Sequence, residues 1–421
     1  MKKLSIVIGM LVGDTMGSWS SSPRTLSPYE EIDWSDEDQE NADPNTSGDE
    51  LWDELLGSSS LSIDNLSSDL SPRADTEPVL DATDPIAQAL TQAGLWRNNG
   101  PTSKKIQNGK YTLTLVSYIE AGGNGLLFKA RNSDGDLFAV KLVVRSAELG
   151  ADDLALEHAA LTALGNVAGV VRVWGPLGTL SNQRTGHTIE FMVMDLLDKS
   201  FGERSGMMGS HSLDARSKFV AKFAYYAVLT LKKLHDRGYA HCDIHQGAFM
   251  TLVGDNSSFR LIDLGKVKKY RNSSRMQRRV IDSQGKWIGT ENLKLLSLFE
   301  LKGYPCRPRD DLIRLGETLV MEWPSSLSQR GARHHLETLT DKGDINALIE
   351  WKKGLSLESV RSEDTRGDQF PQKLRHGVNF VDAFYQTALR SGGSEVYDEL
   401  FDILRSALTV HEIEAIEDQY Q

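Results

Sequence analysis

The feature that most constrains the fold is a change of period near residue 200. Upstream of it, "YTLTLVSYIE" (111–120), "LLFKARN" (126–132) and "LFAVKLVV" (137–144) alternate or run β-branched and aromatic. The connections "AGGNG" and "SDGD" are too short for anything but tight turns, so the three segments are expected as antiparallel strands. "DDLALEHAALTALG" then reads as an amphipathic helix ending at Gly165, and "IEFMVMDLL" as a further strand. Downstream the apolar residues recur at helical spacing in "RSKFVAKFAYYAVLTLKKLHDRG", "RDDLIRLGETLVMEW" and "GVNFVDAFYQTALR". A small sheet carrying one helix, followed by a mostly helical half, is an α+β chain whose two secondary-structure types are segregated along the sequence.

The net charge of −12 is unevenly spread. Between Thr25 and Pro72 stand fourteen Asp and Glu and no Lys or Arg, which leaves the remainder of the chain at +2. That remainder lacks the basicity of a nucleic-acid binder. Residues 19–100, rich in Ser, Asp, Glu, Pro and Asn up to about Pro72, are expected as a disordered acidic arm, unable to bury enough apolar surface to offset its ordering entropy. Within it, Leu51, Trp52, Leu55 and Leu56 fall at helical spacing and read either as a short partner-binding helix or as an apolar spot in a disordered segment. At the start, "MKKLSIVIGMLVGDTMGSWS" has two lysines, an apolar run and then small residues, the layout of a signal peptide over 1–18. A secreted or secretory-pathway location is the expectation, with no membrane span, because the apolar run is too short. Two cysteines, Cys242 and Cys306, exclude a disulfide-rich scaffold and are expected as buried thiols, with one bridge left open for a secreted chain.

The stretch "GYAHCDIHQGAFM" (238–250) has the frame of a protein-kinase catalytic loop. Six further segments agree with it in order and spacing: "EAGGNGLLFKA", "FAVK", "MVMDLLDKSF", "LIDLGKVKKYR", "RPRDDLIRLG" and "FYQTALR…YDELFDILRSAL". Over Gln107–Leu408 the chain resembles the eukaryotic protein-kinase superfamily, most closely its casein kinase 1 group. The resemblance implies a bilobal protein-kinase fold over 101–411, with a β-rich small lobe over 101–195, a larger helical lobe over 196–411 and an acidic tail over 412–421. It also implies a set of site residues. Lys141 would hold nucleotide phosphates and Glu157 would hold Lys141. Asp243 would be the base facing the substrate hydroxyl, and Asp263 would bind magnesium. Gly122 and Gly125 would let the backbone approach phosphate. Leu127 and Ala139 would roof an adenine, Met250 would floor it, and Met194 and Leu197 would line the hinge. His241, Leu264 and Leu161 would form a core spine, and Asp311 would hold the loop backbone. "HCDIH" also contains zinc-type ligands, but a kinase-like loop points His241 inward and Asp243 into the cleft, so they diverge.

Four positions depart from the kinase pattern. Ala248 stands where an asparagine would complete a second metal site, and His245 where a lysine would neutralise the transferring phosphoryl group. Cys242 replaces the arginine before the catalytic aspartate, and Glu120 the first glycine of the glycine-rich loop. These departures weigh against ATP and magnesium as cofactors. They favour a pseudokinase that works as a binding or scaffold protein through unidentified protein partners, with impaired or absent phosphotransfer. The alternative is an active, atypical casein kinase 1-like Ser/Thr kinase using ATP and a single metal; a nucleotide-responsive switch without transfer is a third reading. Lys266, Lys268, Lys269, Arg271, Arg275, Arg278 and Arg279 form a basic run. It reads either as a solvated face or as a docking groove for the chain's own acidic arm.

Overall fold

The computed structural model describes residues 85–97, 100–102, 104–122, 125–145, 153–181, 188–270, 293–322, 328–356, 375–390 and 393–420. The expected signal peptide, the acidic stretch 25–72 and the basic residues from Arg271 to Arg279 lie outside them. All described residues belong to the unit spanning Trp34–Gln421.

The sheet-forming part comes first. Strands β3 (Lys105–Asn108), β4 (Tyr111–Gly122), β5 (Gly125–Asn132), β6 (Leu137–Arg145), β7 (Gly178–Ser181) and β8 (Thr188–Asp195) form one antiparallel sheet in the order β3-β4-β5-β6-β8-β7. Alternation along each strand splits the apolar residues between two cores, because successive side chains point to opposite faces. Leu126, Phe128, Val140, Leu142, Ile189, Phe191 and Val193 face one way, into a cluster of their own. Leu127, Ala139, Val143, Met192 and Met194 face the other way and join the larger core shared with the helices. This double burial explains why β8 is apolar along most of its length rather than alternating.

The outer face is covered by a segment whose composition gave no sign of it. Helix α1 (Pro85–Gln92) and the short strands β1 (Trp96–Arg97) and β2 (Gly100–Pro101) precede the sheet. Leu90, Leu95 and Trp96 are buried in the outer cluster, and Trp96 meets Tyr118 and Phe128 edge-on. The described part of 85–100, assigned to the disordered arm by composition, is therefore folded. A few large apolar side chains secure it despite the polar residues around them.

Helix α2 (Asp153–Leu164) lies on the other face of the sheet. Leu154, Glu157, Leu161 and Leu164 are its buried residues at three- and four-residue spacing, one helical stripe. A second small sheet follows, β12 (Asp255–Leu261), β11 (Phe249–Leu252) and β9 (Leu197–Ser200) in that order. The remainder is helical. Helix α3 (Phe201–Met207) starts with a Ser200–Glu203 capping box, and α4 (Leu213–Asp236) is capped by Ser212. The short α5 (Leu298–Leu301) precedes α6 (Pro308–Met321), which opens on a proline that has no N–H to satisfy. Eleven of the residues of α6 are buried, so it is the central helix rather than a surface one. Around it stand α7 (Ser328–Lys342), α8 (Ile345–Lys353), α9 (Arg375–Arg390) and α10 (Glu395–Arg405).

Residues 409–420 are packed against α4. Thr409 caps α11 (Val410–Glu417) through a capping box with Glu412. Lys222 pairs with Glu412 at 3.0 Å, Tyr225 donates to Glu417 at 2.6 Å, and Lys233 donates to the Tyr420 carbonyl at 2.8 Å. The Tyr420 hydroxyl lies 2.5 Å from Thr230 Oγ1, against Gly169. Gly169 has φ +91°, and a Cβ there would stand 2.1 Å from Thr230 Oγ1 and 2.7 Å from the Tyr420 hydroxyl, so glycine is required by both backbone and space. Among the described residues no helix is long and apolar enough to cross a membrane.

Candidate functional site

The register of the main sheet sets one row of side chains across four strands. Glu120 opposes Leu127, Leu127 opposes Lys141, and Lys141 opposes Met192. Directly opposed residues share a face, so all four point toward the helical half. The next row on that face pairs Ala139 with Met194. Of the apolar residues expected around an adenine, Ala139 and Met194 are buried and paired here with Leu127 half-buried in the row beside them, while Leu197 is half-buried against the same core on β9. Met250 is half-buried on β11, opposite Ser200.

Lys141 donates to Glu157 Oε2 at 2.7 Å, and its ammonium lies 4.0 Å from Asp263 Oδ1. Glu157 is only 4% exposed, so the ammonium offsets part of the cost of burying its carboxylate. Asp263 has φ 60°, and the other described non-glycine residue with positive φ is Cys242, at 64°. Left-handed backbone is costly for side-chain-bearing residues and is retained where the surroundings impose it. Asp263 is the residue beside Lys141, and Cys242 directly precedes Asp243.

The loop carrying Asp243 is fixed from below by the head of α6. Asp311 Oδ1 accepts the Cys242 N–H at 2.8 Å, and Oδ2 accepts the His241 N–H at 2.6 Å and a bond from His235 Nε2 at 2.9 Å. Burial alone would raise the Asp311 carboxyl; its bond to His235 and the positive potential of His235, His241 and Arg314 hold it below the ordinary range. His241 donates through Nε2 to the Ile262 carbonyl at 2.8 Å and accepts the Asp243 N–H at Nδ1, 3.2 Å away. It is buried, and Leu161 and Leu264 lie together in the large core.

The two cysteines, expected as separate buried thiols, are joined. Cys242 and Cys306 form a disulfide with a Cα–Cα distance of 5.7 Å, within the range such bonds need. The reason is topological: the loop and the segment leading into α6 are brought together by the Asp311 contacts. That proximity spans 64 residues and leaves no local trace in sequence.

At the open side of the cleft, Lys266 Nζ lies 3.0 Å from Asp243 Oδ2. Lys266 follows Leu264 and Gly265 in a single helical turn, while the next residues, β13 (Lys268–Lys269), pair with β10 (Tyr239–Ala240). His245 is different in kind. Its Nδ1 accepts the Gly247 N–H at 3.0 Å, and burial lowers its pKa against the opposing pull of Asp243 and Asp263. A ring whose Nδ1 accepts a backbone proton and whose charge is disfavoured by burial is neutral at pH 7. Ala248 is 0% exposed; its N–H donates to the His245 carbonyl and its carbonyl accepts from Ile262, each at 2.9 Å.

Glu120 and Gly125 take on more definite characters. The Glu120 carboxyl is raised by burial, then by Glu203 and Asp263, so it feels the cleft carboxylates. Gly125 has φ +130°, and a Cβ there would stand 2.4 Å from the Leu142 carbonyl oxygen. Its glycine identity therefore follows from the close approach of β5 to β6, independently of any ligand. The side chains of 121–124 lie outside the described residues.

Sequence reasoning missed the Lys266–Asp243 pair and the influence of Glu203 on Glu120, and left the disulfide as the open alternative to two thiols. The first had a signal, a lysine directly after "DLG", but it was absorbed into the basic run. His241, Cys242, Asp243 and His245 do not converge as ligands: among the described residues no group of three or more His, Cys, Asp or Glu could hold a metal ion. A divalent cation in the cleft would thus rely on Asp263 with ligands from its own phosphate, since the methyl of Ala248 supplies none. No family model matches the chain, and no curated protein matches it.

Proposed function

We propose that the chain is a secreted pseudokinase: a protein-kinase fold, similar to the casein kinase 1 group, that acts as a binding or scaffold protein with impaired or absent phosphotransfer. The observation that carries this reading is the pair Ala248 and His245. The first is a buried methyl where a second metal ligand would stand, and the second is a neutral ring where a cation would face the phosphoryl group. Phosphoryl transfer is driven almost wholly by positioning and charge stabilisation, so losing both from one loop removes much of what the fold could contribute.

A specific geometry supports the second reading, an active atypical Ser/Thr kinase working with ATP and one metal. Lys141, Glu157 and Asp263 stand assembled on one side of the cleft, and Asp243 is held by a loop that Asp311 anchors. Thermal unfolding with ATP alone, with magnesium and with manganese separates the readings. Ligand at 100-fold over Kd stabilises the folded state by about 2.7 kcal/mol, a shift of several degrees. A metal-dependent shift accompanied by phosphate incorporation into the chain or a test protein overturns the pseudokinase reading. No incorporation under any metal upholds it.

A further inference from the structure

We propose that Lys266 is the phosphate-facing cation of this cleft, supplying from the segment after Asp263 the charge that position 245 lacks; this rests on the kinase-fold reading of the cleft.

An anion entering the cleft would meet more carboxylates than cations. Asp263 lies 4.0 Å from the Lys141 ammonium, Asp243 lies 3.0 Å from that of Lys266, and Glu120 stands in the same cross-strand row as Lys141. Against them stand Lys141, 2.7 Å from Glu157 and 4.0 Å from Asp263, and Lys266, 3.0 Å from Asp243. His245 adds no charge, because its Nδ1 accepts the Gly247 N–H and its half-buried setting disfavours the protonated ring. A polyphosphate is repelled by these carboxylates unless Lys266 balances Asp243, so that lysine decides whether the open side of the cleft accepts an anion. One divalent cation at Asp263 would complete the balance on the other side.

Exposure makes the lysine available. Its side chain is 53% exposed while that of Asp243 is 14% exposed, so the ammonium sits at the open side of the pair. An ammonium has three donors, and one bond to Asp243 leaves two for phosphate oxygens. Position is secured on both sides of Lys266. Leu264 is buried two residues before it, and β13 pairs with β10 from two residues after it. The side chain therefore extends from a fixed backbone, which lowers the entropy lost when it grips a ligand.

The test is calorimetric titration of the full chain with ATP and with adenosine, both with magnesium. Wild type is expected to bind ATP more tightly than adenosine. Lys266→Ala is expected to weaken ATP about tenfold, the scale of one charge-assisted contact, and to leave adenosine unchanged. Lys266→Arg keeps the charge and is expected to recover most of the loss. Ligand-free melting temperatures establish that each variant is folded. If Lys266→Ala binds ATP as wild type does while Lys141→Ala does not, the assignment is wrong and the cleft reading stands. If Lys266→Ala binds ATP more tightly, Lys266 is a plug over Asp243 and the assignment is equally wrong. If neither ATP nor adenosine binds wild type, both the assignment and a nucleotide-competent cleft are overturned.

Discussion

Removing the Cys242–Cys306 disulfide gives the most quantitative check on the architecture. The bond closes a loop of 64 residues between the Asp243 loop and the head of α6. In the chain-entropy account, the bond lowers the entropy of the unfolded chain by 2.1 + 1.5R ln n cal/mol/K, so removing it costs about 4 kcal/mol of stability near 25 °C. Unfolding entropy is about 2.1 cal/mol/K per residue, so a folded body of roughly 300 residues has about 0.6 kcal/mol/K, and the melting temperature should fall by about 7 °C. The Asp311 bonds to the loop backbone remain, so the loss is mainly in the unfolded state and the native loop should keep its place. Scanning calorimetry of wild type, Cys306→Ser and Cys242→Ser/Cys306→Ser, each with and without reductant, measures it. Reductant should lower the wild type to the double variant and leave the double variant unmoved. Two thiols titrating in unreduced, denatured protein would refute the bond itself. A double variant melting within about a degree of wild type would refute the entropic argument.

Three other perturbations follow from the geometry. Lys141→Met removes the cation 2.7 Å from the nearly buried Glu157 carboxylate and should cost about 3 kcal/mol in a urea melt, less if Glu157→Gln is combined with it, since the pair then disappears together. Gly125→Ala places a methyl 2.4 Å from the Leu142 carbonyl at a φ of +130° and should destabilise by about 2 kcal/mol or more, whether or not nucleotide is present. Asp310 is raised to about 7, first by burial and then by Glu300, so the folded state holds a proton that the unfolded state releases near pH 4. Its contribution to stability is full below about pH 4 and is lost as pH rises toward 7; Asp310→Asn should flatten the stability profile over that window, and an unchanged slope would remove Asp310 as its source.

What the sequence disclosed and what it hid divide along one physical line. Alternation in β5, the near-continuous apolar run of β8 and the stripe Leu154–Glu157–Leu161–Leu164 in α2 are patterned along the chain, and such patterns survive in a linear string. Lys141 and Glu157 could be proposed as partners because the resemblance supplied the missing third dimension. The orientation of Glu120 could not be read, because a one-residue slip in strand register would have turned it to the other face. The disulfide joins elements 64 residues apart and has no local signature, while the lysine after "DLG" could be seen but nothing in the string pairs it with Asp243. The 409–420 segment is polar, and its attachment to α4 uses tyrosine hydroxyls and carboxylates where an apolar pattern would have been visible. Residues 85–97 were missed for the opposite reason, since two or three large side chains outweighed a composition typical of disorder.

The burial of Ala248 has a consequence for the history of such a site. Its peptide is bonded on both sides and its methyl has no exposed surface. Enlarging it to asparagine would push three more heavy atoms, two of them polar, into close-packed surroundings, at about 1–3 kcal/mol for the overpacking alone. On the proposed reading, discarding the ligand takes one substitution, but recovering it takes that substitution reversed and the neighbours rebuilt. Such a step acts as a ratchet. Descendants of this chain can vary what they bind far more readily than they can return to metal-assisted transfer.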